Sequence, residues 1–155
     1  MSKTAVIPAH VAGQGRIRDL IKIGVIALAV VFTNAGAAVV TNRIIQAGTA
    51  PKNFGWGIGT TAPAVTDTAL QTESSPTTSG GRTVGTESRT TVTNSNDNYL
   101  VSGTITAVST LAITEEGLFD NVTAGNMFSH AVFAAINVLS GDSIAFTHGL
   151  KMVPN

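Results

Sequence analysis

Alternating apolar and polar positions in the second half of the chain predict β-strands. The alternation is clear over residues 82–93 and again over residues 99–108. Between these stretches, residues 94–98 read NSNDN. Asn, Asp and Ser favour turns because their side chains hydrogen-bond to nearby backbone groups. A strand, a turn and a second strand in succession predict a β-hairpin.

Three further strands are predicted towards the C-terminus, over residues 111–119, 126–137 and 143–152. The turn between the last two is the Ser-Gly-Asp sequence of residues 140–142. The candidate core residues of the middle strand are Phe128, Ala131, Phe133 and Ile136. Five or six antiparallel strands predict a mainly β fold, an antiparallel β-sandwich or a barrel-like domain.

One helix is predicted before the strands, over residues 34–46. Thr33 is a good N-cap because its hydroxyl can accept a hydrogen bond from the first turn. Apolar residues recur at helical spacing, and Arg43 lies near the C-terminal end, where the helix dipole favours a cation. Gly48 follows as a C-terminal stop.

Residues 53–59, NFGWGIG, predict a short strand in which Phe54, Trp56 and Ile58 share one face. Trp56 is therefore a candidate core residue. The glycines between them occupy the other face and permit another backbone to approach closely. A short helical turn is predicted over residues 64–72 around Leu70, and the Ser, Thr, Pro and Gly of residues 74–81 predict a loop.

The sequence predicts two parts. Residues 1–32 are an N-terminal arm with an apolar segment, and residues 33–155 are a β domain with a leading helix. Residues 1–14 lack a pattern and predict an extended arm. Residues 17–32 are rich in Ile and Val, and periodicity leaves strand and helix open.

Residues 23–40 are nearly free of polar side chains and approach the length of a membrane span. Two glycines, an Ala- and Gly-rich second half and the Thr33-Asn34 pair disfavour that interpretation, so a membrane is not an expected partner.

The composition favours a protein that binds other subunits. Apolar residues make up 43% of the chain, which is enough for one core, whereas only 12% are charged. A charge-poor surface is weakly solvated and is easily buried against partners. The absence of cysteine excludes disulfides and thiolate catalysis.

The few charges are distributed unevenly. Up to Lys52 there are six basic residues and one acidic residue, and from Asn53 onward there are three basic and eight acidic. This asymmetry suits contact between copies or a basic arm on an acidic partner. The candidate partner-binding residues of the arm are Lys3, Arg16, Arg18 and Lys22. Nucleic acid is disfavoured because no aromatic residue accompanies them.

The sequence predicts no catalytic, cofactor or metal site. The three histidines, His10, His130 and His148, lack the local spacing of a zinc site. The adjacent residues Glu115 and Glu116 point to opposite faces of a strand and cannot act as a catalytic pair by themselves. Glu116 with Asp120 could bind a cation across a turn, but turn capping is the preferred interpretation.

Several segments resemble small structural proteins of tailed phages and prophages. They are TNAGAAVVTNRI and GTAPKNFGWGIGTTAPAVTDTALQTES, then ITEEGLFD and FAAINVLSGDSIAFTHGL. The E-x-GLFD pattern with the final strands also looks like the end of tail-collar and tail-fibre domains. The resemblance implies no catalytic residue, and it implies a structural turn and core at Glu116, Gly117, Leu118, Phe119 and Asp120.

The leading hypothesis is a capsid decoration (cement) protein on the virion surface, without enzymatic activity or cofactor. It would bind the phage major capsid protein and copies of itself, with a trimer favoured. The alternative is a tail, collar or fibre component with a receptor-binding role. A membrane-anchored protein comes third, and an enzyme would need His, Asp and Glu clustered in a pocket.

Overall fold

The computed structural model describes residues 30–74 and 82–152. These ranges form one helix and nine strands, in the order β1 (Val30–Phe32), α1 (Asn34–Ile44), β2 (Asn53–Gly57), β3 (Glu73–Ser74), β4 (Thr83–Val84), β5 (Thr86–Thr90), β6 (Asn98–Thr106), β7 (Leu111–Phe119), β8 (Met127–Val138) and β9 (Ser143–Lys151).

The strands make two antiparallel sheets that pack as a sandwich. The first sheet has the order β1-β8-β7-β2-β3, with β4 also paired to β2. The second sheet has the order β5-β6-β9. The predicted mainly β, antiparallel, sandwich-like domain with one helix is therefore confirmed.

Helix α1 begins as the sequence predicts. The Thr33 hydroxyl accepts a hydrogen bond from Gly36 N at 2.9 Å, which satisfies one of the free amides of the first turn. The helix ends at Ile44, two residues before the predicted end, because Gln46 adopts a left-handed conformation with φ of 60°. Arg43 donates to the carbonyl oxygen of Gly48 at 2.8 Å, which helps to close this end.

The predicted hairpin is present as β5 and β6, but the strand predicted over residues 82–93 is divided into β4, which pairs with β2, and β5, which ends at Thr90. The hairpin loop is organised by Asp97. The Asp97 carboxylate accepts hydrogen bonds from the backbone amides of Val92, Thr93 and Asn94, at 2.7–2.9 Å. The amides of Asn94 and Val92 are the main cause that lowers the pKa of Asp97 to about 2, and the Lys151 ammonium adds to it. One side chain thus fixes the loop that sets the hairpin register.

The last three strands match their predicted bounds within one residue, and the turn at residues 140–142 is also confirmed. Pairing of β7 with β8 is irregular between Ile113 and Glu115, where a β-bulge interrupts the ladder. In contrast, β6 pairs with β9 over nine consecutive positions, from Thr106 opposite Ser143 to Asn98 opposite Lys151.

The main core lies between the two sheets. Phe54 and Trp56 of β2 are fully buried in it, as predicted, together with Val101, Ile105 and Leu118. Of the predicted core residues of β8, Phe128, Ala131 and Phe133 are buried and Ile136 is partly buried. A smaller cluster of Leu70, Phe119 and Met127 covers part of the other face of the first sheet.

Three local predictions were wrong. The strand at residues 53–59 ends at Gly57, and Ile58 is 43% exposed rather than buried with Trp56. Residues 64–72 form turns rather than a helical turn. In these turns Asp67 folds back on Ala64, since Asp67 Oδ2 accepts from Ala64 N at 2.8 Å.

The third correction concerns the E-x-GLFD segment. Glu116, Gly117, Leu118 and Phe119 lie inside strand β7 rather than in a turn, because they pair with β2 on one side and β8 on the other. The turn begins at Asp120, whose carboxylate accepts hydrogen bonds from the Asn126 amide and side chain at 2.7 and 2.8 Å.

The predicted arm and most of the N-terminal apolar segment lie outside the described residues, as does most of the loop predicted over residues 74–81. Within residues 23–40, the described part is β1 followed by a break at Thr33 and then α1. No helix in the described ranges combines the length and the apolarity that crossing a membrane requires.

We predict that Trp56→Ala lowers the free energy of unfolding by about 3–5 kcal/mol, because it leaves a cavity at a fully buried aromatic site. Urea denaturation of both proteins measures the difference. Ile58→Ala is the matched control, since Ile58 is two residues away and exposed, and it should cost much less. Equal effects of the two substitutions would contradict the placement of Trp56 in the core.

We also predict a pH-dependent contribution from Asp97. Its pKa is lowered in the folded state, so its stabilisation is present above the unfolded value near 4 and is lost as the pH falls towards about 2. The difference in unfolding free energy between wild type and Asp97→Asn should therefore shrink between pH 6 and pH 2. Denaturation at the two pH values tests this, and a difference that does not change would contradict it.

Candidate functional site: two buried histidine–carboxylate networks

Strand β7 carries adjacent carboxylates on opposite faces of the first sheet, as strand alternation predicts. Both Glu115 and Glu116 are fully buried. A buried carboxylate is costly unless it is hydrogen-bonded or paired with a positive group. Each of these two side chains contacts the ring of a histidine, and the two contacts define two separate networks.

The first network centres on Glu115. Its Oε1 accepts hydrogen bonds from Gly59 N at 2.9 Å and Thr72 N at 2.8 Å, and its Oε2 accepts from Gln71 N at 3.0 Å. These three amides belong to the two ends of the segment that follows β2. The carboxylate therefore holds this segment against the sheet.

Glycine at position 57 makes this approach possible. A Cβ there would lie 2.3 Å from the carbonyl oxygen of Thr72 and 2.4 Å from Glu115 Oε1. Both distances are far below van der Waals contact, so any larger residue would push the carboxylate or the backbone away. The close backbone approach that the glycines of this strand predicted is thus confirmed here.

His130 completes the first network from β8. Its Nδ1 lies 2.7 Å from Asp67 Oδ2, its Nε2 lies 3.2 Å from Glu115 Oε2, and the ring is fully buried. One ring thus links Asp67 of the segment after β2 to Glu115 of β7. Burial opposes ionisation of Asp67, but the amide of Ala64 and the His130 ring lower its pKa overall.

The second network links the two sheets. His148 of β9 places Nε2 2.6 Å from Glu116 Oε2 and Nδ1 3.0 Å from the Ser129 hydroxyl. Its ring also packs edge-on against Phe54, with centroids 5.6 Å apart. One imidazole thus connects β9 to both β7 and β8 across the core.

Ser129, His148 and Glu116 are the residue types of a hydrolytic triad, but their arrangement differs from one. In such triads the serine bonds to Nε2 and the acid to Nδ1, whereas here the two nitrogens are exchanged. Ser129 and Glu116 are also buried, at 3% and 0% exposure. The serine oxygen therefore has no open side at which a substrate carbonyl could bind, and the arrangement acts as a cross-link in the core.

The predicted site residues fall into two groups. Lys3, Arg16, Arg18 and Lys22 lie outside the described residues. Trp56 and residues 116–119 are fully buried or paired in the centre of the first sheet, and Asp120 closes the turn after β7. Glu116 and Asp120 do not act together, because Glu116 bonds to His148 and Asp120 bonds to Asn126.

Asp67, Ser129, His130 and His148 were not predicted as a set. His130 is 63 positions from Asp67, and His148 is 32 positions from Glu116. The only sequence signal was the opposite orientation of Glu115 and Glu116. Among the described residues, no group of three or more His, Asp or Glu side chains is arranged to hold a metal ion.

An open apolar pocket of about 570 Å³ lies elsewhere, between α1 and one end of the second sheet. Its apolar lining includes Val39, Val40, Ile44, Phe128, Leu150 and Met152. Tyr99 lines it too, and its hydroxyl donates to Pro51 O and Glu87 Oε2, each at 3.2 Å. Burial and the Glu87 carboxylate raise the pKa of Tyr99, so the phenol remains neutral.

Comparison with models of protein families, with curated proteins and with solved structures found no match. The function is therefore argued from the residues and geometry above.

We predict that Glu115→Gln lowers the free energy of unfolding by roughly 3–5 kcal/mol, because it removes the charge of one buried partner and leaves the rest of the network in place. The new amide group would also face backbone N–H donors or the His130 ring. Urea denaturation at neutral pH measures the loss. Glu87→Gln, at a partly exposed carboxylate, is the control and should cost less than about 1 kcal/mol.

Loss of less than about 1 kcal/mol for Glu115→Gln would mean that the network does not hold the segment after β2. Amide hydrogen exchange gives a second readout. The amides of Gly59, Gln71 and Thr72 should lose protection in Glu115→Gln and keep it in Glu87→Gln.

Proposed function

We propose that this chain is a non-enzymatic structural protein of a tailed-phage virion, and that it lies on the outer capsid shell as a decoration protein. It would bind and bridge major capsid subunits and act without a cofactor. The proposal rests on the resemblance of residues 32–150 to small phage structural proteins. It also rests on the contacts that engage the buried histidines and carboxylates within the domain.

The observation that carries the non-enzymatic part is the burial of both histidine–carboxylate networks. His130, Glu115 and Glu116 are fully buried, and Ser129 is nearly so. Their hydrogen bonds go to strands and loops of the same domain. The apolar pocket lies apart from both networks, since its lining includes no member of either. Of the two networks, Asp67 is the member that reaches the surface, with 27% of its side chain exposed, and it lies outside the pocket.

The surface supports a binding role. Ile44 and Ile45 at the end of α1 are 76% and 69% exposed, and Ile44 and the half-exposed Met152 border the apolar pocket. Apolar side chains that cluster beside an open pocket favour association with other proteins. The charged residues that line the pocket, Arg43, Glu87 and Arg89, lie among these apolar side chains and would add polar contacts to a partner.

A tail, collar or fibre component is the second candidate, because the segment ITEEGLFD and the final strands also resemble the ends of such domains. Copy number separates the two. A shell protein is present at every symmetry-related site of the capsid, whereas a tail protein is present in a small number of copies set by the tail axis.

The proposal is tested on intact particles of the phage or prophage that encodes the chain. Quantitative analysis of purified particles should find the protein in many copies, and cryo-electron microscopy should place it on the outer shell. Localisation to the tail would replace the decoration role with the second candidate. Absence from the particles, or turnover of a substrate by the purified chain, would overturn the proposal.

The predicted basic arm is the expected point of attachment to the particle. Deletion of residues 1–22, which removes Lys3, Arg16, Arg18 and Lys22, should abolish binding to particles that lack the protein. The domain itself should stay folded, as circular dichroism and thermal unfolding would show. Lys52→Gln, a single basic residue outside the arm, is the control and should retain binding. Normal occupancy of the truncated chain would contradict the anchoring role.

A further inference from the structure

We propose that the outer edge of β9 is a self-association surface, and that it pairs antiparallel with β9 of a second copy about a two-fold axis. The two second sheets, each of three strands, would then join into one continuous six-stranded sheet. This inference concerns the isolated chain and does not depend on a place in the virion.

The β9 edge is long and regular. It pairs with β6 over nine consecutive residues without a bulge. Within residues 30–74 and 82–152, no strand lies on its other side. In an antiparallel ladder alternate residues direct both N–H and C=O away from the paired neighbour. About half of the β9 residues therefore present backbone donors and acceptors at this edge.

The other sheet edges in the described ranges are short, bulged or charged. β1 and β3 have three and two residues, and β8, which extends past β1, is paired irregularly beyond Val132. β5 has five residues and carries Glu87 and Arg89. Short length, bulges and charges are the features by which proteins prevent strands from pairing between molecules.

β9 lacks these protective features because its polar side chains are engaged within the domain. The hydroxyls of Ser143 and Thr147 bond to Thr106 and Ser102 on β6, at 2.8 and 3.3 Å. His148 points into the core towards Glu116. The Lys151 ammonium donates to the Thr93 hydroxyl in the β5–β6 loop, on the side away from the free edge. The strand contains no proline and no acidic residue.

A second copy of β9 is the occupant that fits this edge best. Full overlap of two nine-residue strands places Thr147 on the two-fold axis, Ala145 opposite Gly149, and Ser143 opposite Lys151. No two like charges then face each other across the new pair. On the outer face, Ala145, Thr147 and Gly149 near the axis are small, and Lys151 lies at the end of the strand. A β5 edge would offer only five residues and would bring Glu87 and Arg89 into the contact.

Single-cysteine cross-linking tests this pairing directly, because the chain has no cysteine of its own. Thr147→Cys should form a covalent dimer with a short bis-maleimide, since the two thiols meet at the axis. Thr104→Cys, on the same sheet but on the central strand β6, and Ser88→Cys, on the β5 edge, should remain monomeric. Equal cross-linking of the three, or preferential cross-linking through Ser88→Cys, would overturn the proposal.

A charge introduced at the axis gives a second test, which is measured by sedimentation velocity. Wild type should form a species of about twice 15.8 kDa that increases with concentration. Thr147→Lys and Thr147→Glu should each be monomeric under the same conditions, because like charges would face each other, and an equimolar mixture should recover the dimer. A monomeric wild type, or dimers that both variants leave unchanged, would overturn the proposal.

These outcomes are separate from those of the particle experiments. Dimers of the purified chain can form whether or not particles contain it, and a particle protein can be monomeric in solution. The two proposals can therefore fail independently.

Discussion

The domain depends most on one buried carboxylate, that of Glu115. Its two oxygens accept three backbone hydrogen bonds from Gly59, Gln71 and Thr72 and also face His130. The segment between β2 and β3 has almost no regular structure, so these bonds replace the ladder that a strand would have provided. Because the same carboxylate faces three backbone amides and the His130 ring, the desolvation cost of burying it is offset by specific contacts.

A histidine–carboxylate pair on each face of β7 gives this strand an unusual role. Glu115 connects it to the segment over the outer face, and Glu116 connects it through His148 to the opposite sheet. The second network is less complete, because Glu116 Oε1 and the Nε1 of its cross-strand neighbour Trp56 make no hydrogen bond among the described residues. The first network therefore stabilises the domain and positions the segment after β2. The second network mainly links the two sheets inside an apolar core.

Local physics accounts for most of what the sequence predicted. The strands β7, β8 and β9 match their predicted bounds within one residue, and the Thr33 hydroxyl identified the start of α1, because turn residues and caps act between near neighbours in the chain. The Asp67–His130 contact spans 63 positions and depends on which strands become neighbours, which periodicity does not specify. The free edge of β9 likewise depends on the order of the strands in the sheet, which periodicity does not specify. The turn assigned to Glu116–Phe119 came from the resemblance and conflicted with the strand predicted over residues 111–119. The strand is what forms, and Gly117 makes room for Phe119 and Leu70 inside it.

The ionisable groups of the described residues are used largely to hold the fold together. Nearly every ionisable group with a distinctive environment is used inside the fold: Glu115 and His130 beneath the segment after β2, Glu116 and His148 between the sheets, and Asp97 in the hairpin loop. The described surface also includes the free edge of β9 and an open pocket whose lining is largely apolar but contains Arg43, Glu87 and Arg89. An apolar side chain gains free energy when a partner excludes water from it, and a strand edge completes its hydrogen bonds when it pairs with another chain.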